Sequence, residues 1–248
     1  ANINAYYSYL TNVSDWQNFY MDDVNSFTYV SLTNMKKAYY GVEAGLKFRV
    51  TSAFDVKLVG QISDAKILND ANLEYMRSQN AVVYGDVADG LVEDHIYNKG
   101  MRDNGTPLTA ASLGLSYHSG GWFIDLNANY YDRIYLSYAP IYRTQSELSR
   151  LNAFDNFGNL MPGYTDQAKG HGGWMVDGSI GKSVRLKHGS LNFNLMITNI
   201  LNNQKIVSGG YEQSRSDFSG NGESSKERVY KFSKNPKKYY VFGTNGMF

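Results

Sequence analysis

Cysteine is missing from all 248 residues, and with it go disulfide frameworks, thiolate metal sites and cysteine nucleophiles. Charge of one sign is missing too. Lys+Arg number 24 against 23 for Asp+Glu, a formal net charge of +1, so there is no basic footprint for nucleic acid or another acidic polymer. No apolar run approaches the roughly 18 residues that a membrane-crossing helix needs. A span made of strands is untouched by that, because such strands need an apolar residue only at alternate positions. The start at Ala1 shows no charged and then apolar leader, so any export signal is expected to have been removed or to lie upstream.

The usual signatures of catalysis are equally scarce. His95, His118, His171 and His188 are scattered, with no partner at the i+4 spacing of a helical zinc motif. There is no G-x-S-x-G elbow and no phosphate-binding loop. Asp86, Asp89, Glu93 and Asp94 cluster around Gly90 but lack the alternating spacing of a calcium loop, so a solvated acidic loop is expected. Neither a cofactor nor a catalytic residue is expected.

What is abundant is aromatic: 15% of the chain, with 21 Tyr and 12 Phe, residues that favour pleated surfaces. Apolar residues alternate with polar ones over long stretches. Tyr40, Val42, Ala44, Leu46, Phe48 and Val50 interleave with Gly41, Glu43, Gly45, Lys47 and Arg49. The same period-2 pattern holds for Phe54, Val56, Leu58, Gly60 and Ile62, and for Trp122, Ile124, Leu126, Ala128 and Tyr130. Weaker copies occur at Leu113–Leu115–Tyr117, Trp174–Val176–Ile180 and Leu191–Phe193–Leu195–Ile197, with an opening segment at Ile3–Ala5–Tyr7–Tyr9 and a closing one at Tyr240 and Phe242. About eight strands are expected on this count.

Connections alternate between short and long. Short turns fall at Thr51-Ser52-Ala53, Ser119-Gly120-Gly121 and Lys187-His188-Gly189-Ser190; long connections are expected over residues 17–25, 71–108, 139–172 and 208–237. Long loops gathered at one end are the pattern of an outer-membrane barrel, with tight turns on the periplasmic side. Tyr39, Tyr40, Phe54, Tyr117, Trp122, Tyr130, Tyr131 and Trp174 stand near strand ends, where rings meet the headgroup level. Within the third long connection, Leu148 and Leu151 predict one or two helical turns over Gln145 to Ala153.

Several stretches resemble the last third of TonB-dependent outer-membrane receptors of the Bacteroidetes type. They are YYGVEAGLKF from Tyr39 with the following Thr51-Ser52, LNANYYDRIYLSYAPIYR from Leu126, NILNN from Asn199 with GGYEQ from Gly209, and PKKYYVFG from Pro236. The resemblance implies an all-β, antiparallel transmembrane barrel of 22 strands, of which residues 1–248 would be the C-terminal portion. The plug domain and TonB box would precede this stretch, and the final strand is expected to continue past Phe248. Implied partners are outer-membrane lipid, TonB through the plug region, the rest of the barrel and, in the SusC-like branch, a surface lipoprotein lid. The implied function is TonB-powered import of a scarce ligand, open among glycan, peptide, siderophore and corrinoid.

Trp16, Phe19, Tyr20, Tyr75, Tyr84, Tyr138 and Tyr142 lie toward the long-loop end and are the candidate ligand-facing aromatics. Each could equally anchor the wall at a membrane interface. Charges within the alternating strands, such as Glu43 with Lys47 and Asp55 with Lys57, fit either a transport path or the ordinary polar lining of a barrel. Two alternatives stand beside this reading: a self-contained eight-stranded barrel with a structural or adhesion role, and a soluble carbohydrate-binding β-sandwich.

Overall fold

The computed structural model of the chain describes residues 1–21, 26–77 and 91–208. They form one antiparallel sheet of nine strands: β1 (Asn2–Met21), β2 (Ser26–Arg49), β3 (Phe54–Ile67), β4 (Asn72–Arg77), β5 (Leu91–His95), β6 (Thr109–Ser119), β7 (Trp122–Asp132), β8 (Gly173–Leu186) and β9 (Gly189–Ile197). Hydrogen bonding runs β5-β4-β2-β3-β6-β7-β8-β9, with β1 on the other side of β2. Among the described residues β1, β5 and β9 each keep one edge unpaired by another strand, so the sheet is open. No helix among the described residues is long and apolar enough to cross a membrane, which says nothing of crossing by strands.

Each short turn falls where the alternation stops. Between β6 and β7 only Gly120 and Gly121 intervene, at φ 56° and 80°. Two consecutive positive φ values define a hairpin turn whose twist matches that of its strands, and glycine adopts them without a steric penalty.

Two expectations need correction. The opening strand does not end near Gln17: β1 continues to Met21 and β2 begins at Ser26, so most of the loop expected over 17–25 is strand. The connection expected over 71–108 contains the hairpin strands β4 and β5, which is why the sheet exceeds eight strands. Ala71, Leu73 and Ile96 are buried there, and an apolar side chain with a partner turns loop into sheet. The closing segment at Tyr240 and Phe242 lies outside the described residues, as do GGYEQ and PKKYYVFG.

Cross-strand register shows that every apolar set shares one face. Leu46 stands opposite Leu58, Leu58 opposite Leu113, Leu113 opposite Ala128 and Ala128 opposite Val176. A parallel row runs Phe48, Val56, Leu115, Leu126, Gly178 and Ile197. Lys47, Asp55, Ser116, Asp125 and Ser179 share the other face. Nothing among the described residues covers the apolar face: Phe48 is 51% exposed, Ile62 64% and Phe193 61%.

The core lies elsewhere, at the long-loop end and on the polar side of the sheet. Val30, Leu32, Met35, Ile67, Leu73, Ile96, Ile141 and Leu151 pack there. Two bulges bring apolar residues to that side. Leu10 pairs with Lys37 and Val13 with Met35, then Asp15 with Leu32, so the extra residue falls first on β1 and then on β2. Asn12 and Asn34 occupy these points at φ 55° and 56°, the left-handed conformation that asparagine tolerates. Beyond Asn34 the even-numbered Val30 and Leu32 therefore face the side that odd-numbered residues face below it.

Candidate functional site

The chain returning from β7 crosses the upper polar side of the sheet and closes over it. A 3-10 turn at Pro140–Arg143 leads into the short helix α1 (Gln145–Arg150), which realises the helical turn predicted from Leu148 and Leu151; both leucines are buried. Thr144 caps α1, its hydroxyl oxygen accepting from the Glu147 backbone N–H at 3.4 Å while the hydroxyl donates to the Ile141 carbonyl at 2.9 Å. The Asp94 carboxylate on β5 accepts from the Ser146 N–H at 3.3 Å and ties the cap to the sheet.

This fixed crossing positions Tyr138 and Arg143. The Arg143 guanidinium lies 4.9 Å from the Tyr138 ring centroid, a cation–π contact. It donates to the carbonyls of Asp166 at 3.3 Å and Ala139 at 3.5 Å, and its Nε has no acceptor among the described residues. Burial lowers its pKa to about 10, still charged at neutral pH. The Tyr138 hydroxyl, pushed above its ordinary value by burial, accepts from the Asn98 amide at 3.4 Å.

Tyr138 lines a cavity of about 270 Å³ with Asp15 and Gln17 from β1, Lys37 from β2, and Arg102, Asp103 and Asn104 from the segment before β6. Lys37 Nζ lies 2.9 Å from the Asp103 carboxylate, and the Tyr39 hydroxyl donates to the same group at 2.6 Å. An aromatic ring, amides, carboxylates and an ammonium group lining one hollow suit a polar ligand held by hydrogen bonds and aromatic contact. No cluster of histidines and carboxylates among the described residues could hold a metal.

The candidate aromatics separate by position. Tyr138 lines the cavity, Tyr142 is buried in the core, and Tyr75, opposite Val30, packs against the core on the same side. Trp16, opposite Ser31, projects from the other face and is 73% exposed. Phe19 and Tyr20 lie on β1 with side chains outside the described residues, and Tyr84 lies outside them altogether. The polar members of the cavity were not readable from sequence, because Lys37 and Asp103 belong to segments joined only by the fold.

Lower on the polar face the side chains hydrogen-bond across strands. Ser112 donates to Asn129 at 2.8 Å and Asn129 to Asp177 at 3.3 Å; Ser116 and Ser179 both donate to Asp125. Asp177 also accepts the Asn199 N–H at 2.7 Å, and Asn199 and Asn203 then bond each other through side chain and backbone. The NILNN stretch is thus a lock between β8 and the chain leaving β9. Asp55 pairs with Lys47 at 3.1 Å and Arg49 at 3.5 Å and not with Lys57, because Arg49 stands directly opposite it. Phe123, an aromatic on this wet face, stands opposite Gly181 and occupies the space that a Cβ there would take.

Of the rim aromatics, Tyr40, Phe54, Tyr117, Trp122, Tyr130 and Trp174 share the apolar face. Tyr40 stacks with Tyr7 at 6.5 Å, Tyr130 meets Trp174 at 5.1 Å, and Lys182 lies over Trp122 at 4.7 Å. Tyr39 and Tyr131 take the opposite face, Tyr39 bonded to Asp103 and Tyr131 packed on Ile134, Met175 and Ile206. Compared with protein-family models, with curated proteins and with solved structures, the chain matches none.

Proposed function

We propose that this chain forms part of the wall and the extracellular loops of a TonB-dependent importer in the bacterial outer membrane, the C-terminal portion of a larger barrel. One observation carries the reading: a single-layer sheet bares a continuous apolar face, bordered at both ends by aromatic rings, while its other face is laced with polar contacts. From the row of Tyr40 to Phe54 the apolar band runs about 33 Å along β3. A strand tilt of about 40° reduces this to roughly 25 Å, the height of the lipid-facing band of outer-membrane barrels. In water such a face would be a large aggregation liability. Lipid removes the liability.

The loops support the same reading. They fold onto the polar side of the sheet, which would be the lumen side of a barrel, and the cavity beside Tyr138 would then lie at its mouth. The unpaired edges of β1 and β9 would be satisfied by neighbouring strands of a larger barrel. A β-sandwich would need a second sheet over the apolar rows, and the described residues supply none. The ligand is a solute that this hollow can hold by stacking and hydrogen bonds.

The decisive experiment uses the intact protein. Deleting its TonB box should abolish uptake of the ligand while binding at the surface persists. Uptake that is unchanged by the deletion would overturn the proposal, as would an intact protein that remains monodisperse without detergent.

A further inference from the structure

Just beyond the apolar band, on the same face, the long-loop end carries a strip of cations, of which only Arg102 also borders the cavity. Register fixes its side. Tyr40 stands opposite Asp64, Ala38 opposite Lys66, and Lys66 bridges to Arg102 on the next segment. Arg102 lies over the Tyr135 ring at 4.7 Å, and Lys169, which bridges to Tyr135, lies over the same ring at 5.6 Å. Lys66, Arg102, Tyr135 and Lys169 therefore occupy four adjacent extended segments, about 14 Å across at the ordinary strand spacing.

The charges on this strip do not balance. Arg102 grips Asp64 through two bonds of 2.7 and 3.2 Å, and Arg133 approaches the same carboxylate at 3.9 Å while donating to the Ser63 carbonyl at 3.0 Å. Asp132, the other carboxylate on this face, accepts from Tyr130 at 3.3 Å. The four cations thus meet two carboxylates, and neither Lys66 nor Lys169 has a carboxylate partner among the described residues. Two ammonium groups without a carboxylate partner flank a guanidinium and a tyrosine ring, and one of them, Lys169, lies over that ring. They do so along the line where a lipid's acyl chains would end and its headgroup begin.

We infer that this strip is a binding site for the phosphate of an anionic lipid headgroup in the outer leaflet, with Lys66 and Lys169 as its ligands and Arg102, held by Asp64, as the scaffold between them. The inference rests on the import reading, since it needs the apolar face to lie in lipid. A phosphate accepts charge-assisted bonds from both ammonium groups at once, and a zwitterionic headgroup offsets its own phosphate with a nearby cation.

The test adds dioleoyl phosphatidic acid to the intact protein in detergent and follows its thermal unfolding. Phosphatidylcholine of the same acyl chains and inorganic phosphate run in parallel. Phosphatidic acid should raise the unfolding temperature, and the other two should not. In K66Q/K169Q the concentration of phosphatidic acid needed should rise roughly 25-fold. K66R/K169R should restore most of the effect, and Lys57→Gln on the opposite face should change nothing.

Equal stabilisation by phosphatidylcholine, or by inorganic phosphate alone, would overturn the headgroup site, the latter in favour of a free-anion site. So would an unchanged titration of K66Q/K169Q. A protein that is detergent-dependent yet indifferent to these lysines sinks only the headgroup site, whereas one that needs no detergent sinks the membrane reading beneath it.

Discussion

Leu32 and Phe48 belong to the same strand, β2, and both are even-numbered apolar residues in an alternating run, yet Leu32 is 2% exposed and Phe48 is 51% exposed. Around Leu32 the neighbouring strands supply Ile67 and Leu73 and the crossing segments supply Ile96 and Ile141, and the site is a protein core. Around Phe48 the sheet is one layer thick and the apolar row meets no other part of the described chain. The contrast teaches that alternation reports which side chains share a face and says nothing of what that face touches. In the upper region the chain covers itself; in the lower region no described residue covers the apolar row.

The sharpest way to press on this contrast is to delete side chains in each region of the intact protein and follow urea unfolding in detergent. Leu32→Ala or Ile96→Ala removes a side chain with no solvent contact to speak of, and each should cost about 2–5 kcal/mol. Loss of much less would mean that the loop cover is looser than its packing implies. Next in size is Leu126→Arg, at a position 40% exposed in mid-band. In a bilayer the guanidinium faces hydrocarbon and the cost should be about 2–4 kcal/mol. On a water-facing surface the same substitution would be close to neutral, so a null result breaks the comparison at its root. A smaller effect is expected from Thr144→Ala, which removes the cap of α1 and should cost about 1 kcal/mol. It should also weaken ligand binding, because the same crossing carries Tyr138.

Much of the lower region was legible in the sequence and much of the upper was not. Period-2 spacing from Tyr40 to Phe48 and from Trp122 to Tyr130, with glycines at the β6–β7 turn, is a local signal that needs no partner to be read. The bulges at Asn12 and Asn34 are different. Both flanks of Asn34 keep their apolar residues on even numbers, so a parity reading places Val30 and Val42 on one face when the extra residue has put them on opposite faces. Arg133, at φ 53°, is likewise followed by Ile134, which packs with Met175 and Ile206 on the polar side of the sheet. The β4–β5 hairpin was read as loop because its strands are short and gain their burial from the return of residues 138–151. The cavity escaped for the same reason: Asp15, Lys37 and Asp103 carry no mutual spacing, and only the crossing at Tyr138 brings them round one hollow.

The smallest effect concerns the opposite face of the lower sheet, and its smallness is the point. Lys47 and Asp55 form an ion pair of 3.1 Å on the polar side, with the lysine side chain 64% exposed. If that side borders a water-filled lumen, the pair is screened like any surface pair, and its coupling in a double-mutant cycle of Lys47→Gln and Asp55→Asn should stay below about 1 kcal/mol. That coupling should shrink further at molar salt, where charges more than about 3 Å apart in solvent no longer feel one another strongly. A coupling of several kcal/mol that ignores salt would show that the polar face is dry, covered by another body of protein in the assembled molecule. The two faces would then no longer differ in wetness, with lipid or protein on both and water on neither.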